Sequence, residues 1–227
     1  MSLPIRFAES RFAPDWLIRC GIRNLIHRRL REEGRKRAED PKGELQAFIE
    51  FLRQCPIAVN THAANEQHYE VPPDFFLHVL GKRLKYSCCY YPLGNESLDQ
   101  AEENMLALTC ERARLQDGMD LLELGCGWGS LTLWMAENYP GSRITAISNS
   151  HQQREFILER CSEQGFDNVR VITSDINEYE TARQFDRILS VEMFEHMRNY
   201  HLLLDKVASW MKPEARLFVH IFCHREY

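Results

Sequence analysis

Two glutamates and a histidine lie close together in the run SVEMFEHMRNY, which is rich in reactive side chains. Glu192 precedes Glu195 by three residues and His196 by four, so the three share one face if the run turns helical after a strand. Carboxylates and an imidazole at this spacing suit a proton acceptor, a site for an organic cation or a set of metal ligands. The pattern E-x-x-E-H lacks the further ligands that a metal needs, so we predict no metal here. A solvent-facing loop of charges is the alternative.

A glycine-rich turn is the second chemical feature, in the run LLELGCGWGSLTL. An apolar strand ends near Glu123, and Gly125, Gly127 and Gly129 follow at alternate positions. Residues without side chains let the backbone turn sharply and contact a ligand, which is typical of a nucleotide-binding turn. A dinucleotide fingerprint, G-x-G-x-x-G, would need a glycine where the sequence has Ser130. A plain strand-turn-helix connection is the alternative.

Polar residues end two further apolar segments. Ser148 and Asn149 stand where an acid commonly holds the ribose of a dinucleotide, which further disfavours a dinucleotide site. Gln153 follows in the next helix and is a candidate for the same ligand, although Ser148 and Asn149 are also suited to cap that helix. Asp175 ends the next strand, where a carboxylate can accept from an adenine amino group or can be a solvated loop acid.

These side chains require a sheet to position them, and the chain alternates short apolar strands with helical segments. Strands are predicted at residues 120–124, 143–149, 169–175, 185–192 and 216–223, and helices between them at 130–138, 150–164 and 200–211. A helix at 97–115, capped by Ser97 or Asp99, leads into the first strand. This order predicts a parallel sheet covered on both faces, with ligands beyond the carboxyl ends of its strands.

Composition limits the class of protein. A chain of 227 residues that is 44% hydrophobic can bury one sizeable core, and it contains no apolar run long enough for a membrane span and no signal peptide pattern. Eight cysteines without a C-x-x-C pair fit reduced thiols, so we expect a cytoplasmic protein. A net charge of −5 argues against a general nucleic-acid binder.

The N-terminal part differs from the rest, because residues 15–31 form an arginine-rich amphipathic pattern. A helix docked on the core is the favoured interpretation; a helix in peripheral contact with a membrane surface and an organellar presequence are the alternatives. A second amphipathic helix is predicted at 44–54. The polar stretch between them, 34–43, predicts a flexible connection.

From Glu66 onward six motifs occur in order: HYEVPPDFF, KYSCCYYPLG, ESLDQAEENML, LELGCGWGSLTL, SNSHQQ and VEMFEHMRNYHLLL. Together they resemble the cyclopropane-fatty-acyl-phospholipid synthase superfamily of S-adenosylmethionine (SAM) enzymes, and within it the coclaurine N-methyltransferase-like branch. The resemblance implies an α/β fold with a Rossmann-like class I SAM methyltransferase core and an N-terminal helical extension. It implies SAM as cofactor and N-methylation of a small amine.

The resemblance also implies roles for individual residues. Tyr86 and Ser87 would approach the methionine part of SAM, the glycine turn would line the cofactor, and Asp175 and Ile176 would flank adenine. The full set of expected cofactor residues is Tyr86, Ser87, Glu123, Gly125, Gly127, Ser148, Asn149, Gln153, Asp175 and Ile176. In the N-methyltransferase branch, Glu192, Glu195 and His196 would form the amine-binding and proton-accepting site.

In a second branch of the superfamily, an alkene rather than an amine attacks the methyl group of SAM. Cyclopropane synthases hold a bicarbonate base with a cysteine, a glutamate, a histidine and a tyrosine, for which Cys88, Glu195 and His220 match the first three. The tyrosine would lie beyond residue 227. The alternative activity is therefore methylene transfer to an unsaturated acyl chain of a lipid.

The predicted organisation has three parts: an N-terminal helical extension at 1–60, a helical segment covering substrate and cofactor at 61–115, and the SAM-binding core at 116–227. Class I methyltransferases have a seven-stranded sheet, and only about five strands are predicted here. We therefore expect the core to lack its closing strands at the C-terminal side. A noncatalytic SAM-binding fragment is the third functional hypothesis.

Overall fold

The structure is a computed structural model that describes residues 13–39, 41–59 and 73–223. The chain divides into two compact units, Met1–Leu52 and Arg53–Tyr227. Tyr69 and the rest of the first family motif up to position 72 lie outside the described residues. Among the helices of the described ranges, none combines the length and hydropathy that a bilayer crossing needs.

Two helices precede the sheet, α1 (Asp15–Glu39) and α2 (Pro41–Gln54), and all but the last two residues of α2 belong to the N-terminal unit. The prediction of a flexible connection at 34–43 is wrong, because α1 continues to Glu39 and α2 begins two residues later. Within α1, Arg28 pairs with Glu32 at 2.9 Å, one helical turn away, a spacing that stabilises a helix. Pro41 suits the first position of a helix, where a missing N–H costs nothing. Several apolar residues of α1, including Leu25 and Ile26, are exposed.

The second unit contains a five-stranded parallel sheet in the order β3-β2-β1-β4-β5. The strands are β1 (Asp120–Leu124), β2 (Arg143–Ser148), β3 (Val169–Thr173), β4 (Phe185–Val191) and β5 (Met211–His220). The helices are α3 (Pro73–Val79), α4 (Leu98–Arg112), α5 (Ser130–Asn138), α6 (His151–Gln164) and α7 (Tyr200–Ser209), with a 3-10 turn at Phe194–His196. The predicted α/β class is confirmed, and strand order reverses between β1 and β4, where parallel sheets bind ligands.

The fifth strand begins five residues before its predicted start. Phe185 pairs with Met211, and two residues later Arg187 already pairs with Arg216. The extra residues form a bulge in which Glu214 has a φ of 65°. Pro213 within this bulge hides the start of the strand from a sequence pattern, because proline is depleted in strands.

Helices cover both faces of the sheet, so its central strand is buried throughout. Leu121, Leu122 and Leu124 of β1 have no exposed surface. Leu122 and Leu124 pack in a cluster with Leu203 and Trp210 from the α7 side, whereas Leu121 packs with residues of α4 and α5 on the other face. Apolar burial of this extent contributes about 25 cal/mol per Å² and fixes the strands that carry the polar residues.

Charged residues join four strands at their amino ends. Asp120, the first residue of β1, contacts Arg143 at 2.7 Å and Lys212 at 2.7 Å. Lys212 also contacts Asp186 at 2.8 Å. The hydrogen bond from Arg143 holds the pKa of Asp120 at about 2, below its usual range.

Residues 53–59 belong to the same unit as the sheet. Asn199, which caps α7, donates from its side-chain amide to the carbonyls of Arg53 and Cys55 at 2.8 and 2.9 Å. Asn177 brackets Ala58, accepting from its N–H at 3.1 Å and donating to its carbonyl at 3.0 Å. This segment thereby forms one wall of the region beyond the strand ends.

Candidate functional site

A cavity of about 1050 Å³ opens at the carboxyl ends of β1, β2 and β4. It is lined by every residue predicted for the cofactor: Tyr86, Ser87, Glu123, Gly125, Gly127, Ser148, Asn149, Gln153, Asp175 and Ile176. It is also lined by Glu192, Glu195 and His196, but Cys88 and His220 are not among the lining residues. The sheet thus brings residues from 86 to 196 of the sequence around one space.

The glycine turn connects β1 to α5 and forms the floor of the cavity. Gly125, Gly127 and Gly129 all have left-handed backbones, with φ of 78°, 52° and 83°, a conformation that costs other residues about 1–2 kcal/mol. A Cβ on Gly129 would lie 2.6 Å from Cγ1 of Ile157, so this glycine allows α5 and α6 to pack. A Cβ on Gly127 would meet nothing within 4 Å, so this glycine leaves open space in the cavity.

Glu123 is almost fully buried beneath this turn, with 3% of its surface exposed. Its carboxylate accepts a hydrogen bond from the hydroxyl of Thr132 in α5. Burial raises the pKa of Glu123 to about 7, and the positive charge of Lys85 opposes this rise. The acid therefore titrates near neutral pH.

The loop that carries Tyr86 and Ser87 is held by a carboxylate that sequence analysis missed. Glu102 of α4 has no exposed surface and accepts from the backbone N–H groups of Gly81, Arg83 and Lys85 at 2.9, 2.8 and 3.1 Å. The loop presents Lys85 to the cavity, where its ammonium donates to the hydroxyl of Ser87. Burial lowers the pKa of Lys85. No local pattern distinguishes Lys85 or Glu102 from surface charges, so sequence offered no signal for either.

The end of β2 carries neutral hydrogen-bonding groups. The Ser148 hydroxyl donates to Oε1 of Gln153 at 2.6 Å and accepts from the N–H of Ser150 at 3.0 Å. The interpretation of Ser148 and Asn149 as helix caps is wrong, because Ser150 is the residue that caps α6, accepting from the N–H of Gln153. At the end of β3, one oxygen of Asp175 accepts from the backbone and side chain of Asn177.

Glu192 follows β4 with an unusual backbone. Its φ of 52° lies in the left-handed region, which costs a residue with a side chain about 1–3 kcal/mol. Its N–H donates to the carbonyl of His220 at 2.8 Å, which ties β4 to β5 at this position. Only Phe194–His196 forms a helical turn. The expectation that Glu192, Glu195 and His196 share one face of a helix is therefore wrong. The turn of the chain at Glu192 instead brings all three side chains to the cavity.

One oxygen of Glu195 accepts from the N–H of Phe222 at 3.4 Å. The other, Oε2, is buried and has no hydrogen-bond partner among the described residues. A buried carboxylate oxygen without a partner is rare in proteins and is typical of a functional position.

Cys88 and His220 meet at the edge of this region, with Sγ 3.7 Å from Nε2. The carboxylate that joins them is that of Glu192, and the ligand atoms of the three residues lie within 4.8 Å of one another. The resemblance led us to expect Glu195 in that position. The difference arises because the left-handed backbone of Glu192 places it directly beside the end of β5.

Aromatic side chains form the remaining wall. Trp128, from the glycine turn, packs against Phe76 with ring centroids 5.1 Å apart and against Phe156 at 5.4 Å. Tyr86 contacts Phe76 at 5.3 Å and remains largely exposed. Sequence analysis did not select Trp128 or Phe76, although a tryptophan between two of the three glycines was a usable signal.

The parallel sheet, the glycine turn and the cavity at the strand ends define a Rossmann-like α/β protein. A family model described as mycolic acid cyclopropane synthetase matches residues 58–226. The chain belongs to this family.

Relatives in the family include N-methyltransferases. The chain is 42% identical to an (S)-coclaurine N-methyltransferase of Thalictrum flavum subsp. glaucum over 219 residues, which are 96% of this chain and 61% of that protein. The crystal structure of coclaurine N-methyltransferase bound to N-methylheliamine and S-adenosylhomocysteine (SAH) superposes with a TM-score of 0.85 at 41% identity, covering 94% of this chain and 61% of that one.

A cyclopropane synthase is also similar. The crystal structure of mycolic acid cyclopropane synthase CmaA1 with SAH and CTAB has a TM-score of 0.55 at 26% identity, and the match covers 62% of this chain and 48% of that one. The chain spans about three fifths of the length of the N-methyltransferases it matches.

Proposed function

We propose that this protein binds SAM in the cavity and transfers its methyl group to the nitrogen of a small amine. The residues present fit SAM, because Gly127 leaves open space in the cavity floor and the buried hydroxyl of Ser130 has no hydrogen-bond partner among the described residues. When bound, SAM supplies an electrophilic methyl group on a positively charged sulfur. The SAH in the two structures of relatives supports this assignment.

The lining residues divide by chemistry along the cavity. Lys85 can pair with the carboxylate of the methionine part, beside Tyr86 and Ser87, and Glu123 can pair with its amino group. Ser148 and Gln153 offer neutral groups for the ribose, and Asp175 and Ile176 flank the adenine position. Gly125 and Gly127 let the backbone approach the ligand.

The observation that carries the amine assignment is that Glu192, Glu195 and His196 line the same cavity as the glycine turn. An amine protonated at neutral pH has no lone pair, so it must lose a proton before it attacks the methyl carbon. Glu195 Oε2 is buried without a partner among the described residues and is placed to accept this proton, with His196 as the second acceptor. Glu192 attracts the cationic nitrogen.

The bond changes balance simply. The nitrogen–carbon bond forms as the carbon–sulfur bond breaks, the electron pair goes to sulfur, and the proton of the ammonium stays on the acceptor. Since this is an in-line displacement, most of the catalytic effect comes from alignment, which contributes at most about 7–11 kcal/mol. The lining residues from β1, β4 and the 81–87 loop provide that alignment.

Methylene transfer to an unsaturated acyl chain is the second candidate, and the contact of Cys88 with His220 favours it. These two residues match the cysteine and histidine that the resemblance assigns to a bicarbonate base. The amine assignment is preferred because the N-methyltransferases match more of the chain at higher identity.

We also propose a cytoplasmic location, since the described cysteines are all free thiols. The arginine-rich helix α1 remains our candidate for peripheral membrane contact, because Ile22, Leu25 and Ile26 are exposed.

Incubation of the chain with methyl-labelled SAM and two substrate panels tests the proposal. We expect label in benzylisoquinoline-type amines and none in vesicles of unsaturated phospholipids. Label in the phospholipids alone would replace the amine assignment by the alkene one. Calorimetry that detects SAM binding while neither panel acquires label would favour a noncatalytic SAM-binding protein.

A further inference from the structure

We propose that Cys88, Glu192 and His220 bind one Zn²⁺ ion, with a fourth position open for water. A thiolate, an imidazole and a carboxylate are the three ligand types that zinc takes in proteins. Sequence analysis predicted no metal because the E-x-x-E-H run lacks ligands. The fold supplies two ligands from distant positions, one of them 104 residues before Glu192 in the chain.

The distance between the sulfur and the nitrogen ligand fits zinc. In a tetrahedral site with ordinary zinc–sulfur and zinc–nitrogen bonds, a sulfur and a nitrogen ligand lie about 3.6 Å apart. Sγ of Cys88 lies 3.7 Å from Nε2 of His220. All three ligand atoms lie within 4.8 Å of one another, so the Glu192 carboxylate is close enough to complete the set by a small adjustment of its side chain.

Backbone hydrogen bonds hold the segments that carry the three residues. Val191 pairs with His220 in the sheet, and the next N–H, that of Glu192, donates to the His220 carbonyl at 2.8 Å. Cys88 follows the loop that Glu102 holds through three backbone hydrogen bonds. Ligands held in place before the metal arrives bind it more tightly, because less freedom is lost on binding.

The donor set selects zinc over the common hard cations. Mg²⁺ and Ca²⁺ prefer oxygen ligands and gain little from a thiolate or an imidazole. Cys88 is exposed, and Glu192 and His220 are half-buried, so a metal ion has a route from solvent. The open fourth position is typical of sites that exchange their metal or a ligand rather than of closed structural sites.

Zinc at this position would regulate the activity, a consequence that depends on the proposed amine function. A carboxylate that coordinates zinc is no longer available to attract a cationic amine. Zinc should therefore raise the KM for the amine while the dissociation constant for SAM stays unchanged.

Cobalt tests the site directly, because Co²⁺ takes zinc sites and its thiolate bond absorbs in the near ultraviolet. We expect one equivalent of Co²⁺ to produce this band in the full chain and one equivalent of Zn²⁺ to remove it. Cys88→Ser should abolish the band, and His220→Gln should weaken zinc affinity at least about tenfold in competition with a chromogenic chelator. The matched controls Cys20→Ser and His201→Gln alter an exposed thiol and an exposed imidazole elsewhere, and they should bind as the parent does.

Absence of the band in the parent protein, or its persistence in Cys88→Ser, would overturn the proposal that these residues bind a metal. These spectra require no methyl acceptor, so they decide the metal site separately from the proposed function. The inhibition is tested with the amine that acquires label. Equal zinc inhibition of the parent and His220→Gln would overturn the regulatory role while leaving the cobalt result to decide the site.

Discussion

The buried carboxylate of Glu102 accepts a hydrogen bond from the backbone N–H of Lys85 at 3.1 Å. The same carboxylate accepts from Gly81 and Arg83, so one side chain of α4 fixes the loop that leads to Tyr86 and Ser87. Hydrogen bonds to a carboxylate are stronger than those between neutral groups. The position of the cavity wall therefore depends on a residue that does not line the cavity.

Replacement Glu102→Gln should loosen this loop. An amide keeps one acceptor oxygen and turns an NH₂ group toward backbone donors, so we expect a loss of about 2–3 kcal/mol in the free energy of unfolding, with weaker SAM binding. Denaturant titration and calorimetry measure the two effects. Glu111→Gln, an exposed position of the same helix, should change neither; equal effects from both variants would contradict the role of Glu102.

Two glycines of the same turn should respond differently to alanine. Gly129→Ala places a Cβ 2.6 Å from Ile157 in addition to the left-handed backbone, so we expect about 2–4 kcal/mol of destabilisation. Gly127→Ala meets open space, so it should cost only about 1–2 kcal/mol while occupying ligand volume. Thermal unfolding and SAM titration should rank the variants in opposite orders, and the same order in both measurements would be evidence against this division.

Glu195→Gln and His196→Ala should reduce methyl transfer far more than SAM binding. Loss of a proton acceptor typically costs a factor of about 10²–10⁴ in rate, whereas neither residue is assigned to the cofactor. Single-turnover rates and SAM calorimetry separate the two quantities. Glu178→Gln and His201→Ala, exposed positions outside the cavity, serve as controls. Full turnover in both active-site variants would remove the proton-acceptor role.

Low pH should reduce the free energy of unfolding through protonation of Asp120. Its pKa is about 2 in the folded protein and near 4 in an unfolded chain, so its stabilising effect is complete above pH 4 and is lost as the pH falls toward 2. We expect a loss of about 1–2 kcal/mol, below the full linkage value because Arg143 is exposed to solvent screening. Asp120→Asn should flatten this part of the profile measured by denaturation, and Asp167→Asn should leave it intact.

The contribution of Glu123 to stability should decrease as the pH rises, opposite to that of Asp120, and in a higher pH range. Its pKa is raised to about 7 in the folded protein, so its contribution favours folding below about pH 4.5 and is lost as the pH rises through 7. Because a bound ammonium group favours the carboxylate, SAM binding near pH 7 should release a proton. Calorimetry in buffers of different ionisation enthalpy measures this release. Glu123→Gln should abolish it, and its persistence in that variant would assign the proton to another group.

The parts of the site that sequence predicted depend on local patterns. Gly125 and Gly127 were found because a strand followed by spaced glycines implies a turn, and Ser148 and Asp175 because strand ends share one edge of a sheet. These inferences need only the order of elements along the chain. A local capping pattern offered Ser97 or Asp99 for the start of α4, and Ser97 is the residue that caps it.

The parts that sequence missed depend on contacts between distant residues. The resemblance put Cys88 and His220, 132 positions apart, at one site with Glu195, but nothing near either residue indicates that Glu192 will join them. Glu102 and Lys85 are charged residues of the kind usually found at the surface, and only the packing of α4 shows that they are buried. The left-handed backbone of Glu192 is similarly invisible, because non-glycine residues adopt it only where the surrounding structure compels it.

The ion network of Asp120, Arg143, Asp186 and Lys212 lies at the amino ends of strands that include β1, β2 and β4, whose carboxyl ends border the cavity. In each of these strands, the amino end can therefore be altered to change stability, and the carboxyl end can be altered to change substrate specificity. Substitutions at the two ends share no partners, so their effects should combine additively. A library directed at new acceptors can therefore start from a background strengthened at the opposite edge of the sheet.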